Sequence, residues 1–135
     1  MIKLFRRCLS TKRPEAKLLR NKLIEIYHKN YGFCFCSICT QRMPCKVLDV
    51  SHLRPRSSLE PNEYRNLENV EFMCKNCHSL WDNGLIGVNN RGFIAIKNEI
   101  LDFTAFQGLV GKCYSRSNQY NKPFLVWHYL HIFQK

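Results

Sequence analysis

Val70-Glu71-Phe72-Met73-Cys74-Lys75-Asn76-Cys77-His78-Ser79-Leu80-Trp81-Asp82-Asn83-Gly84 is the stretch on which the fold turns. Residues 70–73 are apolar and β-prone and predict a short strand. A CxxC follows at once. Residues 75–82 fit a brief helix, stopped by Asn83-Gly84 in the manner of a glycine cap. On such a helix His78 and Asp82 are four residues apart and lie on one side. Upstream, residues 46–53 (KVLDVSHL) predict a partner strand that ends before Pro55. Residues 54–68 carry prolines and many polar groups and read as an irregular connection. Downstream, residues 85–97 place two β-prone runs around Asn89-Asn90-Arg91-Gly92, a hairpin signature. Short strands and short helices in this order predict an α+β domain.

The eight cysteines point to metal before disulfides if the chain works in a reducing compartment. Cys36-x-x-Cys39 and Cys74-x-x-Cys77 are two knuckles that together supply four thiolates for one tetrahedral Zn²⁺. Such a closed site leaves no open position, so its role is structural. Two alternatives stand beside it. The knuckles form disulfides in an oxidising compartment, and Cys34 and Cys45 lie near enough to compete as ligands, since Cys34-x-Cys36 is also a pair. Cys8 and Cys113 have no neighbour at ligand spacing and read as ordinary thiols.

Both flanks read as helices. Pro14 suits a first helical turn, and Leu18, Leu19, Lys22, Leu23, Ile26 and Tyr27 recur at helical spacing, predicting a helix over 14–30. After Pro123, the series Phe124, Leu125, His128, Tyr129, Ile132, Phe133 predicts a closing helix, with His128 and His131 as packing or surface residues. Residues 100–109 (ILDFTAFQGL) fit one or two helical turns. The chain then divides into a basic tail, residues 1–13, and a single domain, residues 14–135, with its core over about 33–97.

Charge points to the partner. Twenty-one Lys and Arg against ten Asp and Glu give +11 over 135 residues, and such a surface attracts polyanions by releasing their counterions. Within residues 1–30, Lys3, Arg6, Arg7, Lys12, Arg13, Lys17, Arg20, Lys22 and Lys29 face only Glu15 and Glu25. Nucleic acid is the expected partner, and a basic face kept for solubility is the alternative. No apolar run approaches the roughly 18–20 residues a bilayer requires. The expected location is intracellular and cytoplasmic, although Arg-rich residues 1–17 also fit a mitochondrial presequence.

Three segments then combine: Leu48-Asp49-Val50-Ser51-His52-Leu53-Arg54-Pro55, Asn66-Leu67-Glu68-Asn69-Val70, and Cys77-His78-Ser79-Leu80-Trp81-Asp82-Asn83-Gly84-Leu85-Ile86. Together they resemble the HNH endonuclease family, closest to its restriction-type branch with SHxxP and HxxFDxGLI motifs. Leu125-Val126-Trp127-His128 is similar to that branch's C-terminal ending. The resemblance implies a small zinc-stabilised ββα-metal domain with flanking helices that hydrolyses phosphodiester bonds in duplex DNA. It implies His52 as general base, Asn69 (with Asn66 as rival) as the brace of the loop, and His78 as the third catalytic residue. The divalent ion, Mg²⁺ or Mn²⁺ with Ni²⁺ or Co²⁺ as alternatives, falls to His78, Asp82 and Asp49. Arg54 and Arg56 follow the base and are candidates to grip phosphates. Ser51 departs from the pattern, since many relatives carry an acid or histidine there as a ligand. A non-catalytic DNA-binding module and a nonspecific nuclease are the rival readings. A site-specific enzyme of this size implies a homodimer on a palindrome.

Overall fold

In the computed structural model the backbone is described from Ile2 to Lys135 and the side chains from Glu15 onward. The charges of the expected basic tail, the presequence reading and Cys8 therefore lie outside the described side chains. Helix α1 spans Ile2–Tyr31 and passes Pro14 instead of starting there. Residues 2–13 contain no glycine and no further proline, so no local signal stops the helix upstream. Its buried stripe is Leu19, Leu23 and Tyr27, one residue per turn on the side facing the strands. Gly32, at φ +81°, ends it by donating to the His28 carbonyl at 3.0 Å.

The first strand is shorter than residues 46–53. Cys45–Val47 forms a 3-10 turn, because Pro44 leads the chain into a tight bend in which Val47 N–H donates to the Pro44 carbonyl at 3.1 Å. Strand β1 is Asp49–His52 and β2 is Val70–Met73. They pair antiparallel with Ser51 opposite Glu71 and His52 opposite Val70. Between them the connection is a series of 3-10 turns and no regular element, as the prolines require.

Helix α2 spans Lys75–Asp82. Cys74 opens it as the N-cap, its Sγ accepting from the Cys77 N–H at 3.4 Å. Gly84 closes it at φ +68°, with the Leu85 N–H reaching back to the Leu80 carbonyl at 2.9 Å, the bond pattern of a glycine-terminated helix. A side chain at Gly84 has no room, because a Cβ there would meet the Ile132 carbonyl oxygen at 2.6 Å. The hairpin forms as β3, Ile86–Val88, and β4, Ile94–Ile96. Short 3-10 segments follow at Asn98–Ile100 and Thr104–Leu109. Helix α3, Lys122–His128, then runs on as a π-type turn over Tyr129–Phe133.

Trp81 sits at the junction of these elements. Its indole N–H donates to the Leu53 carbonyl at 3.1 Å, and its ring stacks on His128 at 3.7 Å between centroids. The His128 Nε2 lies 2.8 Å from the Trp81 carbonyl. A carbonyl only accepts, so Nε2 carries the proton. Burial holds the His128 pKa down at about 4. A second buried link escaped the sequence: Arg116 donates through Nε and Nη2 to Glu71 Oε1, each at 2.9 Å, and Tyr27 donates to Oε2 at 2.6 Å. This triad joins β2, α1 and the loop before α3.

Arg116→Ala leaves the Glu71 carboxylate buried and uncompensated, and is expected to cost about 3–5 kcal/mol in urea unfolding. His128 generates a second expectation. Because its folded pKa lies below its unfolded value of 6.5, its contribution is full above about pH 6.5 and is lost as pH falls toward about 4. His128→Gln, which keeps a donor for Trp81, should flatten the fall in melting temperature over that window. Identical slopes for the two proteins would contradict the assignment.

Candidate active site and metal centre

Four thiols meet where the first loop touches α2. The Sγ atoms of Cys36, Cys39, Cys74 and Cys77 all lie within 4.8 Å of one another. The first knuckle is held by the Thr40 N–H donating to the Cys36 carbonyl at 2.8 Å, and by the Ser37 N–H donating to the Phe72 carbonyl of β2 at 2.8 Å. Thr40 sits at φ +63°, a costly conformation for a β-branched residue. Lys112 secures it, its Nζ reaching the Cys39 carbonyl at 2.9 Å and Thr40 Oγ1 at 2.8 Å. Hydrogen bonding within the cluster, chiefly with Cys36, pulls the Cys39 thiol down to about 6. The same cluster pushes the Cys77 thiol up. Four sulfurs sharing protons at this separation are the donor set of a closed tetrahedral Zn²⁺ site.

Cys34 and Cys45, the rival ligands, are joined to each other in a disulfide with their Cα atoms 5.5 Å apart. The backbone places them there, since Phe35 and Arg42 form an antiparallel bridge across the loop. They are thereby removed from competition for the knuckle site, and the four knuckle cysteines themselves are free thiols.

β1 and the following loop position the histidine expected as base. His52 Nε2 lies 3.4 Å from the Tyr64 carbonyl, so Nε2–H is the donor and Nδ1 keeps its lone pair. Burial lowers the His52 pKa below 6.5, and the Tyr64 contact opposes this only in part. The imidazole is therefore neutral at pH 7. Asn69, fully buried, braces the loop beyond it: Oδ1 accepts from the Arg54 N–H at 2.8 Å and Nδ2 donates to the Arg54 carbonyl at 3.1 Å. Asn66, its rival, caps the local 3-10 turn by accepting from the Glu68 N–H at 3.0 Å.

His78 stands between two carboxylates. Its Nδ1 is 3.0 Å from Asp49 Oδ2 and its Nε2 is 3.1 Å from Asp82 Oδ2. The Asp82 hydrogen bond foremost, with Asp49 behind it, raises the His78 pKa to about 9. Lys75, a contact the sequence did not reveal, also holds Asp49, at 2.8 Å. The ligand atoms of Asp49, His78 and Asp82 do not close on one point as the four thiols do. A proton on the ring here does the work of a cation. The three residues form a row with the imidazole in the middle, so in this arrangement His78 offers a metal one flanking carboxylate at a time. Ser51 is fully buried, on the same face of β1 as Asp49.

Arg54 and Arg56 are turned inward. Arg54 bonds Ser58 through Nε and Nη2, each at 3.1 Å, and lies 4.6 Å over the Trp127 ring. Arg56 pairs with Glu15 at 3.1 Å and covers Tyr64 at 4.2 Å. Besides Lys75, the basic side chains Lys17 and Arg20 border the His78 row, lining an open cleft of about 570 Å³ with Asp49, Val50 and His78. Arg20 is partly committed, donating to the Cys45 and Leu48 carbonyls at 3.0 and 2.8 Å. Among the described residues no helix is long and apolar enough to cross a membrane.

A strand pair that delivers one histidine, a helix that delivers another, and a four-thiol clamp holding the two together define a small metal-binding α+β domain. Residues 36–89, from the first knuckle through β3, match the family described as HNH endonuclease. It is a family of metal-dependent nuclease domains that act on DNA. No curated protein matches the chain.

If the thiol cluster holds zinc, stripping it with a chelator should abolish cooperative unfolding, and Cys74→Ser should lower the melting point by at least several degrees. An unchanged transition after complete zinc removal would show that the clamp is dispensable.

Proposed function

We propose that the chain is a metal-dependent endonuclease that hydrolyses phosphodiester bonds in duplex DNA, of restriction type, with His52 as general base. The observation that carries this reading is the state of His52. It is a neutral ring whose Nε2–H is tied to Tyr64 and whose Nδ1 is left to accept a proton, at the end of β1 beside a loop that Asn69 fixes through both backbone groups of Arg54.

The chemistry follows from these groups. His52 Nδ1 takes a proton from water, and the resulting hydroxide attacks the phosphorus. Asn69 keeps the loop, and so the ring, from turning away. His78, with Asp49 or Asp82, would hold the divalent ion, which supplies charge neutralisation on the phosphate and on the departing 3′ oxygen. Lys17 borders the cleft from α1 and meets the phosphate backbone there. Arg56, beside His52, is held by Glu15 and helps keep the ring uncharged, its positive charge being among the causes that lower the His52 pKa. Arg54 supports the loop in preference to gripping phosphate.

The rival reading, a DNA-binding module without catalysis, is favoured by one feature: both nitrogens of His78 are already occupied by carboxylates. Plasmid nicking separates the two. With Mg²⁺ or Mn²⁺ the wild type should convert supercoiled DNA to nicked and linear forms, and His52→Ala should slow this on the order of 10²-fold or more. Asp49→Asn and Asp82→Asn should each reduce cutting, because each removes a carboxylate that can share the ion with His78. Gel retardation with no cleavage under any of these ions would leave the binding module. Mapping the cut ends tests the restriction assignment: discrete positions support a site-specific enzyme acting as a dimer, and scattered ends support a nonspecific one.

A further inference from the structure

Beyond the knuckle cluster and the His78 row, one further group of metal-ligating side chains comes together among the described residues. His28, Cys34 and Cys45 place their ligand atoms within 4.8 Å of one another, with His28 Nε2 3.8 Å from Cys45 Sγ. They border an open cavity of about 420 Å³ with Gly32, Phe33, Arg42, Met43 and Pro44. Cys34 is buried, Cys45 half-buried and His28 exposed, so the cluster is closed toward the core and open toward solvent.

A disulfide that only staples a loop has no use for an imidazole beside it. Nor is the bond needed to bring the two cysteines face to face. The Phe35 to Arg42 bridge, the Cys36 N–H donating to the Gln41 carbonyl at 3.0 Å and the Met43 N–H donating to the Cys34 carbonyl at 3.3 Å hold the two arms of the loop together. With the sulfur–sulfur bond broken, the Cα separation of 5.5 Å still lets side-chain rotation put both sulfurs on one cation. Tetrahedral zinc with bonds of about 2.3 Å needs its sulfurs roughly 3.8 Å apart. His28 belongs to the last turn of α1, a helix end that favours positive charge. The nearby cation, Arg42, is stacked on Phe33 at 4.3 Å and does not occupy the position between the three ligands. Two thiolates and one imidazole around Zn²⁺ give a neutral complex, with water as the fourth ligand.

We propose that His28, Cys34 and Cys45 form a second metal site for Zn²⁺ or a similar thiophilic cation, blocked by the Cys34–Cys45 disulfide and opened by its reduction. The opening step consumes two electrons from a dithiol reductant. The sulfur–sulfur bond breaks, the dithiol becomes a disulfide, and its two protons pass to Cys34 and Cys45. Zinc then displaces both protons as it binds the thiolates. This site shares no ligand with the knuckle cluster and does not depend on nuclease activity.

Zinc stoichiometry of the full chain tests it. The protein is prepared oxidised, or reduced with a phosphine and then freed of reductant without air, and each form is loaded with Zn²⁺ and washed. The oxidised form should retain one equivalent and the reduced form two. Reduced His28→Ala and Cys45→Ser should fall back to one. His28 is exposed, so its substitution leaves the core intact and keeps the test valid if Cys45→Ser fails to fold. Co²⁺ loading gives an independent reading, with a second set of sulfur-to-cobalt absorptions appearing only on reduction. A reduced wild type that retains one equivalent overturns the proposal, as does a second equivalent that persists in both variants. Loss of the first equivalent in Cys74→Ser, with the second retained, would show that the two sites are separate.

Discussion

The clamp between the two knuckles is the constraint on which the remaining geometry depends. β1 and β2 are four residues each, and a two-stranded pair of that length has little stability in water. What fixes it is its attachment at both ends of the clamp. Ser37, between the first two cysteines, donates its N–H to Phe72 in the middle of β2. Cys74 follows β2 directly and caps α2. A single cluster of four sulfurs thus sets the register of the strands against the axis of the helix, and with it the position of His78, the residue after Cys77.

The opposite face of α2 is fixed by the C-terminal segment. Trp81 donates to Leu53, the residue after His52, and stacks on His128 of α3. Gly84 lets the Ile132 backbone approach closer than any side chain permits. Helix α2 is therefore held from the knuckle side and from the α3 side at once, and the loop that follows His52 is tied to it through one indole N–H. Burying a neutral histidine under a tryptophan costs stability in acid, but it leaves no freedom for α2 to shift relative to β1.

What the sequence disclosed and what it hid divide along the range of the interactions. β2, α2 and the β3–β4 hairpin were legible because each is bounded by its own chemistry: a CxxC, an Asn-Gly stop, an Asn-Asn-Arg-Gly turn. The four-thiol cluster was legible because two short spacings suffice to name it, and the His78–Asp82 pair because helical geometry puts residues four apart on one side. The start of β1 was misplaced, since the bend begun by Pro44 prevails over the β propensity of Val47. The Glu71–Arg116 pair spans 45 residues and leaves no local mark. Neither does the union of Cys34 with Cys45, which depends on a backbone bridge that spacing alone does not reveal. Arg54 and Arg56 looked available for phosphate because their partners, Trp127 and Glu15, come from opposite ends of the chain.

Ser51 shows how the local and the long-range combine. Opposite it in the sheet stands Glu71, buried and held by Arg116 and Tyr27. An acid at position 51 would lie fully buried, directly across from that carboxylate, where like charges repel and neither has water to screen it. Arg116 already spends its Nε and Nη2 on Glu71 and its Nη1 on Tyr31, so it has little left for a second carboxylate. A small neutral residue resolves the conflict. The carboxylate that faces His78 comes instead from Asp49, two positions earlier on the same strand and partly open to solvent. There, Lys75 balances its charge, and no buried pair has to be broken to place it. The serine that reads in isolation as a missing ligand is, in the folded chain, a consequence of the buried ion pair behind it.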